Sequence, residues 1–148
     1  MSVFWYQGNL TSGEADVAIP GTALTPGHHG LTVSYAGDGS NAGSSTAIDL
    51  TVAKATPTLA VKVTPGTVHA GRTSPKLVVT LASPGHTVSG RISVTSAGRT
   101  YLARLSDGKA TVTLQPYART GTKNVRVSYL GSDLDRSVKH SLTFRVVT

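Results

Sequence analysis

Residues Leu31 to Ser40 read LTVSYAGDGS, and residues Val125 to Leu134 read VRVSYLGSDL. In each, apolar residues take alternate positions up to a Tyr, and a turn of Gly, Asp and Ser types follows. Alternation with a period of two marks a strand with one buried face. Leu31, Val33 and Tyr35 precede Val125, Val127 and Tyr129 by a constant 94 residues. Ile48, Leu50 and Val52 precede Leu142, Phe144 and Val146 by the same spacing, and Val17 and Ile19 precede Val112 and Leu114 by 95. A spacing held over several strands makes the chain two copies of one β module.

Working outward from these strands, turn residues punctuate short apolar runs throughout. The chain of 148 residues carries 16 Gly and 7 Pro, and these fall between the runs rather than within them. No window holds a 3.6-residue period, and no run approaches the ~18 apolar residues of a membrane helix. In the second copy, seven strands are expected. They lie around Leu59–Val63, Leu77–Leu81, Val88–Val94, Tyr101–Leu105, Ala110–Leu114, Val125–Tyr129 and Leu142–Val146. Asp107-Gly108 predicts a tight hairpin turn. Seven short strands with turns at such intervals predict a Greek-key sandwich.

The first copy is shorter. Ser2–Gln7 (SVFWYQ) and Ala15–Ile19 predict two strands ahead of the key one. Ala53–Pro57 (AKATP) predicts a short linker stiffened by Pro57. The expected organisation is a partial module over 1–53 and a complete module over 54–148.

Charge separates along the same division. Residues 1–53 hold four acids (Glu14, Asp16, Asp38, Asp49) and no Lys or Arg, a formal −4. Residues 54–148 hold all 14 basic residues and three acids, a formal +11. Such a dipole favours head-to-tail association, and the basic half favours acidic partners.

Gly90-x-Ile92-x-Val94, the Asp107-Gly108 hairpin, the strand ends Tyr35-Ala-Gly-Asp38 and Tyr129-Leu-Gly-Ser132, and the exit Val52-Ala-Lys54 together resemble bacterial immunoglobulin-like repeat domains. The resemblance spans nearly the whole chain. It implies an all-β, immunoglobulin-like Greek-key β-sandwich in an extracellular or cell-surface protein. In that family's topology, the strands at 59–63 and 77–81 open one sheet, and the second of them pairs with the strand equivalent to 15–19. The first copy holds no match to either, so an open edge and an uncovered inner face are expected there. Unpaired edges template pairing with other chains, so two explanations are expected: the chain is a piece of a longer repeat array, or another chain supplies the missing strands.

Candidate sites are few. The chain has no Cys, which excludes disulfides and thiolate chemistry. No G-x-S-x-G, P-loop or H-E-x-x-H occurs, so no catalytic residue is assigned and no enzyme is expected. His28 and His29 are adjacent and would point apart, and the Asp38 and Asp133 turns hold too few carboxylates for calcium, so neither metal nor cofactor is expected. No charged-then-apolar leader precedes Val3.

The interface candidates are Phe4, Trp5 and Tyr6, whose rings cannot all face one core; Val17 and Ile19 on the open edge; and Arg104, Arg126 and Arg145 on the polar phase of basic strands. Nucleic acid is not expected, because no aromatic residues interleave with those arginines for stacking. The sequence therefore leads to a structural module that forms a homo-oligomer or filament by strand complementation and charge. The alternative is an adhesion module whose basic half binds an anionic cell-wall polymer or glycan.

Overall fold

A strand persists only where its N–H and C=O groups meet those of a neighbour, so the pairing pattern defines this molecule. The structure is a computed structural model describing residues 3–148. The described residues form ten strands and no helix, in two units that divide between Ala53 and Lys54.

In unit 1, β1 (Gly27–Tyr35) and β2 (Ser44–Val52) pair antiparallel over their full lengths. Unit 2 contains β3 (Thr58–Thr64), β4 (Val68–His69), β5 (Lys76–Ala82), β6 (Arg91–Ser96), β7 (Arg99–Arg104), β8 (Lys109–Thr113), β9 (Gly121–Tyr129) and β10 (Val138–Val147). One sheet has the order β4-β10-β9-β6-β7, and the other has the order β3-β5-β8. Seven of these eight strands match the predicted runs. The eighth, β4, is two residues running parallel to the end of β10, too short to show any period.

The two sheets of unit 2 enclose one core. Leu77, Val79 and Leu81 of β5 alternate inward, as do Ala110 and Val112 of β8 from the same sheet. Ile92 and Val94 of β6, Val125, Val127 and Tyr129 of β9, and Val146 of β10 meet them from the other sheet. All are at least nine-tenths buried. The result is an all-β sandwich.

Most polar groups that enter the core have partners, and Ser83 Oγ and Asp135 Oδ1 are buried without one. Tyr129 donates its hydroxyl proton to the Ser89 carbonyl at 2.6 Å. Gly90 holds φ +118° beside it, and a Cβ there would sit 3.2 Å from the Tyr129 ring. Ser96 donates to the Asn124 carbonyl at 3.0 Å, which leaves Tyr117 to donate to Ser96 at 2.6 Å. Burial pushes both phenols up from their ordinary range, so each remains a proton donor. Asp135, 1% exposed, accepts from His86 Nε2 at 2.8 Å and from Ser132 at 3.2 Å.

Three expectations need correction. Residues 3–7 and 15–19 form no strand, and Ser2 lies outside the described residues. The predicted linker is instead part of unit 2 from Lys54 onward. Ala55 donates to Leu134 and accepts from Arg136, Lys54 Nζ donates to the Ser132 carbonyl at 2.7 Å, and Pro57 is buried. The Val88–Val94 run starts as a loop through Val88 and Gly90, and pairing begins only at Arg91.

Replacing Tyr129 by Phe leaves the Ser89 carbonyl without its donor. The variant is expected to lose about 1–2 kcal/mol of unfolding free energy, read as a lower urea midpoint at unchanged slope.

Candidate functional site

The repeat seen in the sequence is reproduced residue pair by residue pair in the two ladders. β1 and β2 pair in the register Gly27 to Val52 and Tyr35 to Ser44. β9 and β10 pair Gly121 to Val146 and Tyr129 to Val138, the same register displaced by 94 residues. The turns that follow also correspond. Gly37 and Gly131 take φ +90° and +88°, and a Cβ on either would collide with backbone across the loop, nearest at 2.8 and 3.1 Å. Asp38 accepts from the amides of Ser40 and Asn41 at 2.7 and 2.8 Å. Ser132, its equivalent, accepts from the amides of Leu134 and Asp135 at 3.2 and 3.0 Å.

Correspondence extends to the start of unit 1 at the spacing of 95. Ser12 and Gly13 hold φ +53° and +82°, against +50° and +72° for Asp107 and Gly108. Thr11 and Glu14 exchange two backbone bonds across this turn, as Ser106 and Lys109 do across theirs. Tyr6, Leu10, Val17 and Ile19 are thereby the equivalents of Tyr101, Leu105, Val112 and Leu114.

What unit 1 lacks is any counterpart of β3 to β6 among the described residues. This accounts for the two missing strands. In unit 2, β7 is held by β6 and β8 by β5. Without equivalents of those partners, residues 3–10 and 14–19 have the strand pattern and no ladder to join.

The apolar face is correspondingly open. Val33 is 52% exposed where Val127 is fully buried, and Val17 is 45% exposed where Val112 is 5%. Ile19, Ile48 and Leu50 are also exposed. Phe4 and Trp5 are well exposed, Trp5 at 83%, and Tyr6 less so. Phe4, Trp5, Tyr6, Val17 and Ile19 lie in unit 1 on segments without a strand partner, whereas Val33, Ile48 and Leu50 lie on the paired strands β1 and β2.

Arg104, Arg126 and Arg145 lie in unit 2 on the outward face of the five-stranded sheet. They do not cluster. Arg126 stands opposite Ser141, four residues and about 13 Å along β10 from Arg145. Arg104 stands at the far edge, directly opposite Arg91. Lys139 shares this face, and none of its strands carries an acid. Among the described residues no Lys or Arg forms an ion pair; the one salt bridge is His86 with Asp135.

His28 pairs with Thr51 Oγ1 at 3.0 Å, and His29 donates to the Thr25 carbonyl at 2.6 Å, so the two rings are turned to different partners. No three metal-ligating side chains converge among the described residues. No helix of the described residues is long and apolar enough to cross a membrane.

Tyr35 marks the clearest departure between the two copies. Its equivalent, Tyr129, donates to the Ser89 carbonyl, which has no counterpart among the described residues of unit 1. Tyr35 donates instead to Asp38 Oδ2 at 2.7 Å. That bond, followed by those from Ser40 and Asn41, holds the Asp38 carboxyl down at about 2. The same contact raises the Tyr35 phenol.

No protein-family model matches the chain, and no curated protein matches it.

Because the folded value of Asp38 lies below the ordinary carboxylate range, its contribution to the turn is complete above that range and is lost as pH falls toward 2. An NMR titration is expected to place the Asp38 midpoint near 2. Tyr35→Phe removes the largest cause and is expected to move that midpoint upward, while Tyr6→Phe leaves it in place.

Proposed function

We propose that this chain is a non-catalytic structural and assembly unit, built from immunoglobulin-like modules, of an extracellular bacterial surface protein or filament. In this reading unit 1 is an acceptor that a β-strand of another copy completes.

One observation carries the proposal. The face and edge that β5 and β6 cover in unit 2 recur in unit 1 in the same register, and nothing among the described residues of unit 1 covers them. The edge of β1 from Leu31 to Tyr35 is the equivalent of the β9 edge that takes β6. An edge of this kind extends by strand addition.

The donor is the outer edge of β7 in a second copy. β7 ends its sheet, carries Arg99 and Arg104, and exposes Leu102 to 67%. Docking it on unit 1 sets an excess of 11 positive charges against four negative ones, and acceptor and donor are different surfaces. Such a contact is heterologous, so it repeats from copy to copy into a filament unless the rotation closes a ring. Covering ~500 Å² of apolar surface is worth about 12 kcal/mol gross. Association costs of ~4–15 kcal/mol offset much of that, so the assembly is reversible and depends on concentration.

Light scattering between about 1 and 500 μM is expected to show mass rising with concentration, with filaments visible in negative stain at the upper end. Val33→Lys places a charge on the open face and is expected to hold the protein monomeric with its circular dichroism unchanged. A wild-type chain that stays monomeric over the whole range would sink the proposal.

A further inference from the structure

One end of unit 2 carries a cleft of about 320 Å³, lined by residues of that unit alone. Its walls are the turn between β6 and β7, the start of β7, the connection from Leu114 to Arg119, and Lys123 on β9. Three cations line it, Arg99, Arg119 and Lys123, and no acid does. We propose that this cleft is a binding site for a phosphoryl group.

The site is built rather than incidental. Gln115 is held on both sides: its side-chain oxygen accepts from the Arg99 guanidinium, and its amide donates to the Tyr101 hydroxyl at 3.3 Å. The Tyr101 hydroxyl keeps its own proton free to donate. Tyr117 forms the floor, fixed by its bond to Ser96 and by edge contact with Phe144 at 5.6 Å between ring centroids. Lys123 Nζ lies 5.7 Å from the Tyr117 centroid and donates to the Thr120 carbonyl at 3.3 Å. The hydrogen-bond partners of Arg99 and Lys123 are neutral, so three cations line one cleft that holds no acid. Like charges lining one cleft repel one another, and an anion placed among them offsets that repulsion.

The chemistry selects among anions and sugars. A neutral sugar needs an aromatic face to stack on, but Tyr117 is 7% exposed and Tyr101 is turned to the core. Nucleobases would need the same platform. A single carboxylate would leave most of the positive charge unmatched. A phosphoryl group offers several oxygens to two guanidinium forks, an ammonium and a phenol, and such charge-assisted bonds are the strong ones. The group can come from free phosphate or from a phosphodiester polymer of the cell-wall type.

The test is an amide NMR titration of the full chain with inorganic phosphate and, separately, with poly(glycerol phosphate). Each is run at about 50 and about 200 mM salt. Saturable shifts are expected at Ala97–Tyr101 and Gln115–Lys123, weaker at the higher salt. Arg119→Gln and Lys123→Gln are each expected to weaken binding about tenfold, while Arg126→Gln on the outward sheet face leaves it unchanged. Tighter binding of the polymer identifies the polymer as the source, and equal or tighter binding of inorganic phosphate identifies the free ion. The proposal fails if neither probe saturates. It also fails if Arg126→Gln weakens binding as much as Arg119→Gln, because the effect would then be diffuse charge.

Discussion

The antiparallel ladder between β9 and β10 is the interaction on which both units rest. It appears twice, with the same partners at the same spacing, once as β9–β10 and once as β1–β2. In unit 2 this ladder is the centre of a sheet, flanked by β4 on one side and β6 on the other. Among the described residues of unit 1 it is a two-stranded sheet with no third strand beside it. The contrast isolates what neighbours contribute, since the turns and the register survive without them and the burial does not. A strand is a relation between segments, and a segment with every local feature of a strand remains extended coil until a partner is present.

Electrostatics follow the same division. Three of the four acids of unit 1 stand in or near turns and Asp49 lies on β2; the Asp38 carboxylate is taken up by the amides and phenol of its own loop. The cations of unit 2 are spread over sheet faces and loop ends and meet no carboxylate. The one buried acid among the described residues, Asp135, is tied to His86 and to the Ser132 turn, which is where the chain enters unit 2 at Ala55. A carboxylate there stitches three loops together at the cost of desolvation.

Much of the fold was legible because each strand of unit 2 keeps one face to a core, and Leu77, Val79 and Leu81 or Val125, Val127 and Tyr129 record that face at every second position. The same record misleads at Val17 and Ile19. Period two reports which face would be buried and is silent on whether a partner strand exists. β4 escaped because two residues carry no period. The exposed arginines Arg104, Arg126 and Arg145 could be assigned to polar phases from alternation, but their separation across the sheet depends on the order of strands. The cleft residues were out of reach for a related reason. Arg99, Gln115 and Lys123 come from three segments that only the sandwich brings together. Asp135 and His86 are 49 positions apart and meet for the same cause.

The position of β10 has a mechanical consequence. The chain enters unit 2 beside Asp135, at the end where β10 begins, and β10 finishes at the opposite end, clasped between β9 and the parallel β4. Tension applied between Ala55 and Val147 would load those ladders lengthwise. The bonds would then have to slide and break together instead of peeling one after another, and a short domain with no covalent crosslink would resist pulling far better than its size suggests.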